Sequence, residues 1–127
     1  MWTGILAILA SLKDAKSIDA IDNDPWCIEN TAENIQSNNC TNVSVFLGDL
    51  ISVSEPTYDI IFANINRNIL LEQIPSYFAA LKPGGVLFLS GFFDADILSL
   101  NECCQNEGLY LVDKKQKNSW RALKFVK

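Results

Sequence analysis

Apolar residues fall along this chain in short runs separated by polar turn formers, and the period of the runs changes from one to the next. The run Ile5-Leu-Ala-Ile-Leu-Ala10, extended to Leu12, is apolar on nearly every side. It predicts a helix buried on most of its surface. Residues 17–21 are short, apolar and turn-bounded, which predicts a strand ending at Asp22. Asp24-Pro25 then supplies a cap and a first helical position, so a helix is expected to about residue 37, where Asn38-Asn39 stops it. Residues 43–47 predict a second strand closed by Gly48-Asp49, residues 50–57 a loop, and residues 58–63 a third strand bounded by Asn64. A helix is expected over about 68–81, a turn at Lys82-Pro-Gly-Gly85, and a fourth strand over 86–90. Residues 94–106 predict a helix with Asp94 as its cap. Residues 109–113 and 120–126 predict two closing strands, with the polar segment 114–119 as the hairpin between them.

Strands and helices therefore alternate until two consecutive strands finish the chain. Alternation predicts an α/β fold, a mostly parallel sheet with helices on both faces in three layers. The final pair adds a terminal antiparallel hairpin. Sheets of this kind bind ligands beyond the carboxyl ends of their strands, and Asp22, Asp49 and Asn64 all fall at such ends.

Composition narrows the chemistry. With 127 residues, 49% of them apolar and 20% charged, the chain suits one globular domain. The formal net charge of -5 disfavours a nucleic-acid clamp and suits a protein partner. There is no histidine, which removes imidazole acid–base catalysis, histidine triads and histidine-bound zinc. No metal is implied. The four cysteines, Cys27, Cys40, Cys103 and Cys104, form no Cys-x-x-Cys pair and are expected as free thiols in a reducing cytoplasm. The apolar run at residues 5–10 lacks a basic leader and is too short to span a bilayer, so no membrane association is expected.

Each strand-end residue has a use and an ordinary alternative. A carboxylate at Asp22 accepts only, and it can take both ribose hydroxyls of an adenosine cofactor. It equally suits the turn before Asp24, and a nicotinamide cofactor would ask for an acid in the same place. Asp49 can hold an adenine amino group or simply serve a Gly-Asp turn. Asn64 can accept a hydrogen bond from an amine through its side-chain oxygen, with a nearby backbone carbonyl as second acceptor, or it can be a turn former. Such acceptors matter for amine methylation, which needs an uncharged nitrogen held in line with a sulfonium methyl more than it needs acid–base work. A lysine amine has a solution pKa of roughly 10.4, so a site must favour its neutral form. Arg67, beside a helix start, is a weaker candidate.

Thr3-Gly-Ile-Leu-Ala-Ile-Leu-Ala10, Ala20-Ile-Asp-Asn-Asp-Pro25, Glu33-Asn-Ile35, Gly48-Asp49, Asp59-Ile-Ile-Phe-Ala-Asn-Ile65 and Leu81-Lys-Pro-Gly-Gly85 occur in that order. Together they resemble the successive motifs of class I methyltransferases. More narrowly, the set resembles the bacterial ribosomal protein L-eleven methyltransferase family, with Ala63-Asn-Ile65 and the late Trp120 as the more specific features. The resemblance implies a Rossmann-like methyltransferase fold, S-adenosylmethionine as cofactor, and amine methylation of a ribosomal protein in the cytoplasm. It implies that Asp22 binds the ribose, Asp49 lies near the adenine, Asn64 faces the transferred methyl, and Gly4 is the last glycine of the cofactor loop. No oligomeric state follows from these motifs.

Three departures from the family pattern shape the expectation. A recognition domain is not part of the sequence. Met1-Trp-Thr-Gly4 replaces the Asp-x-Gly-Cys-Gly-(Ser/Thr)-Gly loop, so the first strand is expected to be missing, between the strands ending at Asp22 and Asn64. Asn66-Arg67-Asn68 follows where some relatives have Gly-Pro. Residues 1–127 are accordingly expected to form a single, incomplete methyltransferase domain that binds the cofactor weakly. The alternative is a non-catalytic remnant, or a wrongly started gene product, that binds none. A nicotinamide-binding fold is a third option that leaves Asn64-Ile-Asn-Arg67 without a task.

Overall fold

A computed structural model describes residues 12, 15–47, 56–118 and 120–127, with the backbone alone described at Lys117 and Trp120. The helix expected over residues 5–12 (Leu12 apart), the residues Gly4 and Asp49, and most of the loop expected over 50–57 lie outside the described residues. The chain divides into two compact units, Met1–Ile51 and Ser52–Lys127.

In the first unit, β1 (Ile18–Asp22) pairs in parallel with β2 (Val43–Leu47), Asp22 standing opposite Leu47 at the carboxyl ends. Parallel strands need a crossover, and α1 (Pro25–Ser37) supplies it. Its start is the one the sequence predicts. Pro25 takes the first turn, where its missing N–H costs nothing, and the Asp24 carboxylate accepts from the Trp26 N–H at 2.9 Å. Asn39, with φ of 56°, reverses the chain after the helix. Cys27, Thr31 and Ile35 form the buried face, and Ile35 with Cys40 packs on Val43 and Val45.

The second unit is a four-stranded sheet in the order β3-β4-β6-β5. Strand β3 (Tyr58–Asn64) runs parallel to β4 (Leu81–Ser90); β4 pairs antiparallel with β6 (Trp120–Val126), and β6 antiparallel with β5 (Tyr110–Lys117). The crossover from β3 to β4 is α2 (Arg67–Ala80), and α3 (Ile97–Glu107) follows β4. Leu70, Ile74, Tyr77 and Ala80 recur at helical spacing along α2, and all are buried. They share the core with Leu87 and Leu89 of β4, Leu100 and Cys104 of α3, and Leu123 and Phe125 of β6. Register explains the selection. Leu87 stands opposite Phe125 and Leu89 opposite Leu123, so alternate residues of both strands face inward together. The intervening Phe88 stacks on Phe62 of β3 at 4.9 Å between ring centroids, and Phe62 is half exposed.

Three expectations change. The expected closing hairpin forms, but its first strand runs on through Lys117 instead of ending at residue 113. Pairing continues through Lys114↔Leu123, Lys115↔Ala122 and Gln116↔Arg121 to Lys117↔Trp120, so only two residues of sequence separate the paired strands. Strand β5 is a sheet edge, where lysines stay solvated and discourage further pairing, so a polar sequence is compatible with a strand there. Asn118 adopts a φ of 56°, the left-handed conformation such short turns require. Asp94 is not a cap either. It opens a single 3-10 turn, Asp94–Asp96, and its carboxylate pairs with the Arg121 guanidinium; Asp96 instead accepts from the Phe93 N–H at 3.0 Å. The Lys82-Pro-Gly-Gly85 segment lies within β4 as an irregularity between the pairs Tyr58↔Leu81 and Ile60↔Val86. Lys127 ties down the adjoining helix end, its ammonium donating at 2.8 Å to both the Phe78 and the Leu81 carbonyl. No helix among the described residues is long and apolar enough to cross a membrane.

Pro75 sits inside α2. A proline there cannot donate to the carbonyl four residues back, which is that of Leu71. The Cys103 thiol of α3 donates to that same Leu71 carbonyl at 3.8 Å. A cysteine thus partners the acceptor that the proline leaves over. The pair gives a double-mutant test by urea unfolding. Pro75→Ala is expected to stabilise the protein by about 1–3 kcal/mol, because the helical bond returns. Cys103→Ala should cost ~0.5–1 kcal/mol more with Pro75 present than in the Pro75→Ala background. Equal costs in both backgrounds would show that the thiol contact carries no weight.

Candidate functional site

The sequence-derived candidates fall in different units and are described in their own surroundings. Asp22 ends β1 in the first unit, half-buried. Its Oδ1 accepts from the Asp24 N–H at 3.0 Å, so the turn role and the candidate binding role coexist on one side chain. Burial pushes the carboxyl pKa up, but hydrogen bonds, including those from the Asp24 and Asn23 backbone, outweigh it and hold Asp22 below the ordinary aspartate value. The group is an acceptor only at neutral pH.

Asn64 ends β3 in the second unit, exposed, and stands opposite Ser90 at the end of β4. The ladder runs one step further, the Ile65 N–H donating to the Ser90 carbonyl at 3.2 Å. The next residue of each strand then turns away. Asn66 caps α2, its side-chain oxygen accepting from the Ile69 N–H at 3.1 Å, which gives asparagine a local task at this position. Arg67 opens α2 and lies 3.7 Å from the Asp96 carboxylate, with a second bond to the Asn68 side chain at 3.1 Å. Its place is thus an ion pair to the turn after β4. That turn is held from the other side by the Arg121–Asp94 pair. Phe93, directly before Asp94 in that turn, is 80% exposed.

One residue of this region escaped the sequence reading. Gly91, directly after β4, has a φ of +88°, and a Cβ there would lie 2.8 Å from Asn64 Oδ1, 2.8 Å from the Ile65 carbonyl oxygen and 2.9 Å from the Ile65 nitrogen. The signal available in sequence was the Ser90-Gly91 step itself, a glycine placed where the strand ends.

Three of the four thiols offer no competing chemistry. All four cysteines are free. Burial raises the pKa of Cys27, Cys103 and Cys104, and neighbouring charge adds to it: Asp22 and Asp24 beside Cys27, Glu107 beside Cys103. The Cys104 thiol is pushed up to about 12. None of these three is a ready nucleophile at neutral pH.

Known proteins resemble this chain over nearly its whole length. A family model described as ribosomal protein L11 methyltransferase (PrmA) matches residues 2–127. A Porphyromonas gingivalis protein named ribosomal protein L11 methyltransferase is 48% identical over 125 residues, covering 98% of this chain and 43% of that protein. A Phocaeicola vulgatus protein of the same name is 44% identical, covering 98% of this chain and 44% of its own length. The chain thus spans under half the length of the curated relatives it matches. Among solved structures, the ribosomal protein L11 methylase from Lactobacillus delbrueckii subsp. bulgaricus superposes with a TM-score of 0.90 at 26% identity, over 97% of this chain and 64% of that one. A methyltransferase from Pyrococcus furiosus superposes at 0.82 with 24% identity and shows the shared fold. The expected α/β methyltransferase fold is therefore observed.

The Arg121–Asp94 pair yields a pH prediction. Arg121 holds the Asp94 carboxyl below its ordinary value, against a smaller opposing effect of burial. A depressed acid contributes stability that is present above the unfolded pKa of about 3.8 and is lost as pH falls through the lower folded value. The melting-temperature gap between the parent and Asp94→Asn should therefore be constant from about pH 5 to 8 and close below about pH 4. Because Asp94 is largely exposed, high salt should shrink the gap. A gap that persists unchanged at pH 2–3 would assign the effect to packing.

Proposed function

This chain belongs to the PrmA family of ribosomal protein L11 methyltransferases, and from that premise we propose that it is the domain in which an amine of a ribosomal protein receives a methyl group from S-adenosylmethionine. The observation that carries the reading is the end of β3, where Asn64 Oδ1 and the Ile65 carbonyl oxygen lie around one point above Gly91. Two acceptors so close suit a nitrogen that bears two N–H bonds.

When bound, the cofactor supplies an electrophilic methyl on a sulfonium. The residues of the chain have then to hold, orient and keep neutral the incoming nitrogen. In the proposed arrangement Asn64 Oδ1 and the Ile65 oxygen each accept one N–H. The remaining lone pair of the amine is thereby directed away from both oxygens and toward the methyl carbon. Asn64 and Ile65 would hold the nitrogen as it takes the methyl of a bound cofactor, with the C–S electron pair kept on sulfur and the extra proton on nitrogen taken by solvent. Neutral carbonyl-type acceptors give the ammonium form less support than a carboxylate would, which favours the uncharged nucleophile.

Asp22 fits the cofactor on the grounds of its own chemistry. It is half-buried, ionised, and placed at a strand's carboxyl end, where an acceptor-only group suits a pair of ribose hydroxyls. We assign Gly4 to the cofactor loop and Asp49 to the adenine, both on the family resemblance. A ribosomal protein substrate places the reaction in the cytoplasm.

The reading separates two properties that a single measurement would merge. The chain, extended to its relatives' length with sequence from the Porphyromonas gingivalis protein, is assayed for methyl transfer to ribosomal protein L11 and titrated with the cofactor. Asn64→Ala is expected to slow turnover about a hundredfold, the scale of a misplaced reactant, and to change the cofactor Kd by less than about threefold. Asp22→Ala should weaken cofactor binding at least about tenfold, as expected for lost charge-assisted hydrogen bonds. Equal loss of both properties in both variants, or no methyl transfer by the parent, would overturn the assignment.

A further inference from the structure

We propose that Gly91 is a positioning residue for methyl transfer: the space left by its missing side chain sets the spacing of Asn64 Oδ1 and the Ile65 carbonyl as a pair of amine acceptors. The proposal rests on the reading of Asn64 given above and adds a residue that acts through it.

Two properties single Gly91 out among the glycines of left-handed backbone. Its φ of +88° disfavours any L side chain, and its Cβ position is already surrounded. Gly84 shares the first property, with a φ of +80°, but no atom of the described residues lies within 4 Å of its Cβ position. At Gly108 a Cβ would meet only the Phe78 ring, at 3.4 Å, and a ring can shift. At Gly91 the three neighbours are Asn64 Oδ1 at 2.8 Å and two backbone atoms of Ile65 at 2.8 and 2.9 Å. The Ile65 backbone cannot retreat freely, because its N–H is tied to the Ser90 carbonyl at 3.2 Å.

The distances also fix what the two oxygens can do together. Each is 2.8 Å from the same point, so they are no further apart than twice that length. A single nitrogen can then reach both oxygens at hydrogen-bond lengths of roughly 2.7–3.2 Å. A methyl group at residue 91 would occupy the point around which they are arranged. It would push the Asn64 carboxamide aside and displace the Ile65 peptide. The α-carbon surface of Gly91 therefore serves as the floor on which the Asn64 carboxamide rests, and that floor exists only for glycine.

The test uses the extended protein described above, with turnover, cofactor Kd and thermal unfolding measured for Gly91→Ala, Asn64→Gln, Asn64→Ala and the Gly91→Ala, Asn64→Ala double variant. Gly91→Ala is expected to slow turnover about a hundredfold while the cofactor Kd stays within about threefold. Added to Asn64→Ala it should slow turnover by clearly less than the roughly hundredfold it costs alone, because one of the two acceptors it positions is already gone and only the Ile65 carbonyl remains to be displaced. Asn64→Gln leaves Gly91 and the strand intact but carries the carboxamide one methylene beyond the floor, so it should be as slow as Asn64→Ala. That variant decides the matter if Gly91→Ala fails to fold. A Gly91→Ala protein that turns over normally, one that loses cofactor binding in proportion, an additive double variant, or rescue by glutamine would each overturn the proposal. Parent-like turnover in Asn64→Ala would instead sink the reading of Asn64 on which it rests.

Discussion

The parallel ladder between β3 and β4 requires both strands to finish at the same edge of the sheet, and nearly every feature of the candidate site descends from that requirement. Parallel neighbours cannot be joined by a tight turn, so a helix must carry the chain back. Helix α2 does so, and in leaving β3 it forces the backbone to turn at Asn64-Ile65-Asn66, one step past the last register pair, Asn64↔Ser90. The partner strand must turn at the same level, and Gly91 is where it does. Two chain reversals side by side leave backbone groups that the ladder no longer consumes. One is used at once, the Ile65 N–H on the Ser90 carbonyl. The side chain of Asn64 and the carbonyl of Ile65 are the groups the geometry leaves pointing around Gly91.

Packing of the second unit serves the same end. The helical stripe Leu70, Ile74, Tyr77 and Ala80 fixes α2 on the inward residues of β4 and β6, and so fixes the start of α2, where Asn66 caps and Arg67 reaches Asp96. The turn after β4 is consequently gripped from the α2 side by Arg67 and from the hairpin side by Arg121. Exposed ion pairs of this kind contribute little to global stability. Their effect is local: they limit where the segment carrying Gly91 and Phe93 can go. The proline in α2 is tolerated within this frame because α3 brings Cys103 to the carbonyl that Pro75 strands.

Much of this was legible because it depends on short-range rules. The period of apolar residues located β1, β2, β3 and α1, and Asp24-Pro25 marked the start of α1 to the residue. The strand ends, and with them Asp22 and Asn64, followed from the same rules together with alternation. What was not legible depends on partners distant in sequence. Lys114 to Lys117 reads as the polar connection of the closing hairpin, and only the pairing with β6 on one side and solvent on the other makes it part of the strand. Asp94 has every local mark of a cap, yet the Arg121 guanidinium, far along the chain, claims its carboxylate. Gly91 is a single small residue after a strand, and nothing in its neighbourhood in sequence indicates that residues 64 and 65 crowd its empty side.

The composition of the chain and the geometry of this strand end point to the same kind of catalysis. With no histidine, and with Cys27, Cys103 and Cys104 held above the usual thiol range, the chain carries few groups that exchange a proton readily near neutrality. Methyl transfer from a sulfonium to a neutral amine asks for little proton transfer in the bond-making step; it asks for alignment. Alignment is something that a carboxamide and a peptide carbonyl can provide, provided that neither can drift. A side chain at the exposed end of a strand would ordinarily sample several rotamers. Asn64 has Gly91 beneath it and its own backbone locked in the ladder, so its freedom is cut from below by an atom that is absent and from behind by hydrogen bonds. In the site proposed, the backbone conformation of a glycine would govern reactivity as directly as a titrating side chain does elsewhere, and a single methyl group at that glycine would reset the reacting geometry without altering a charge.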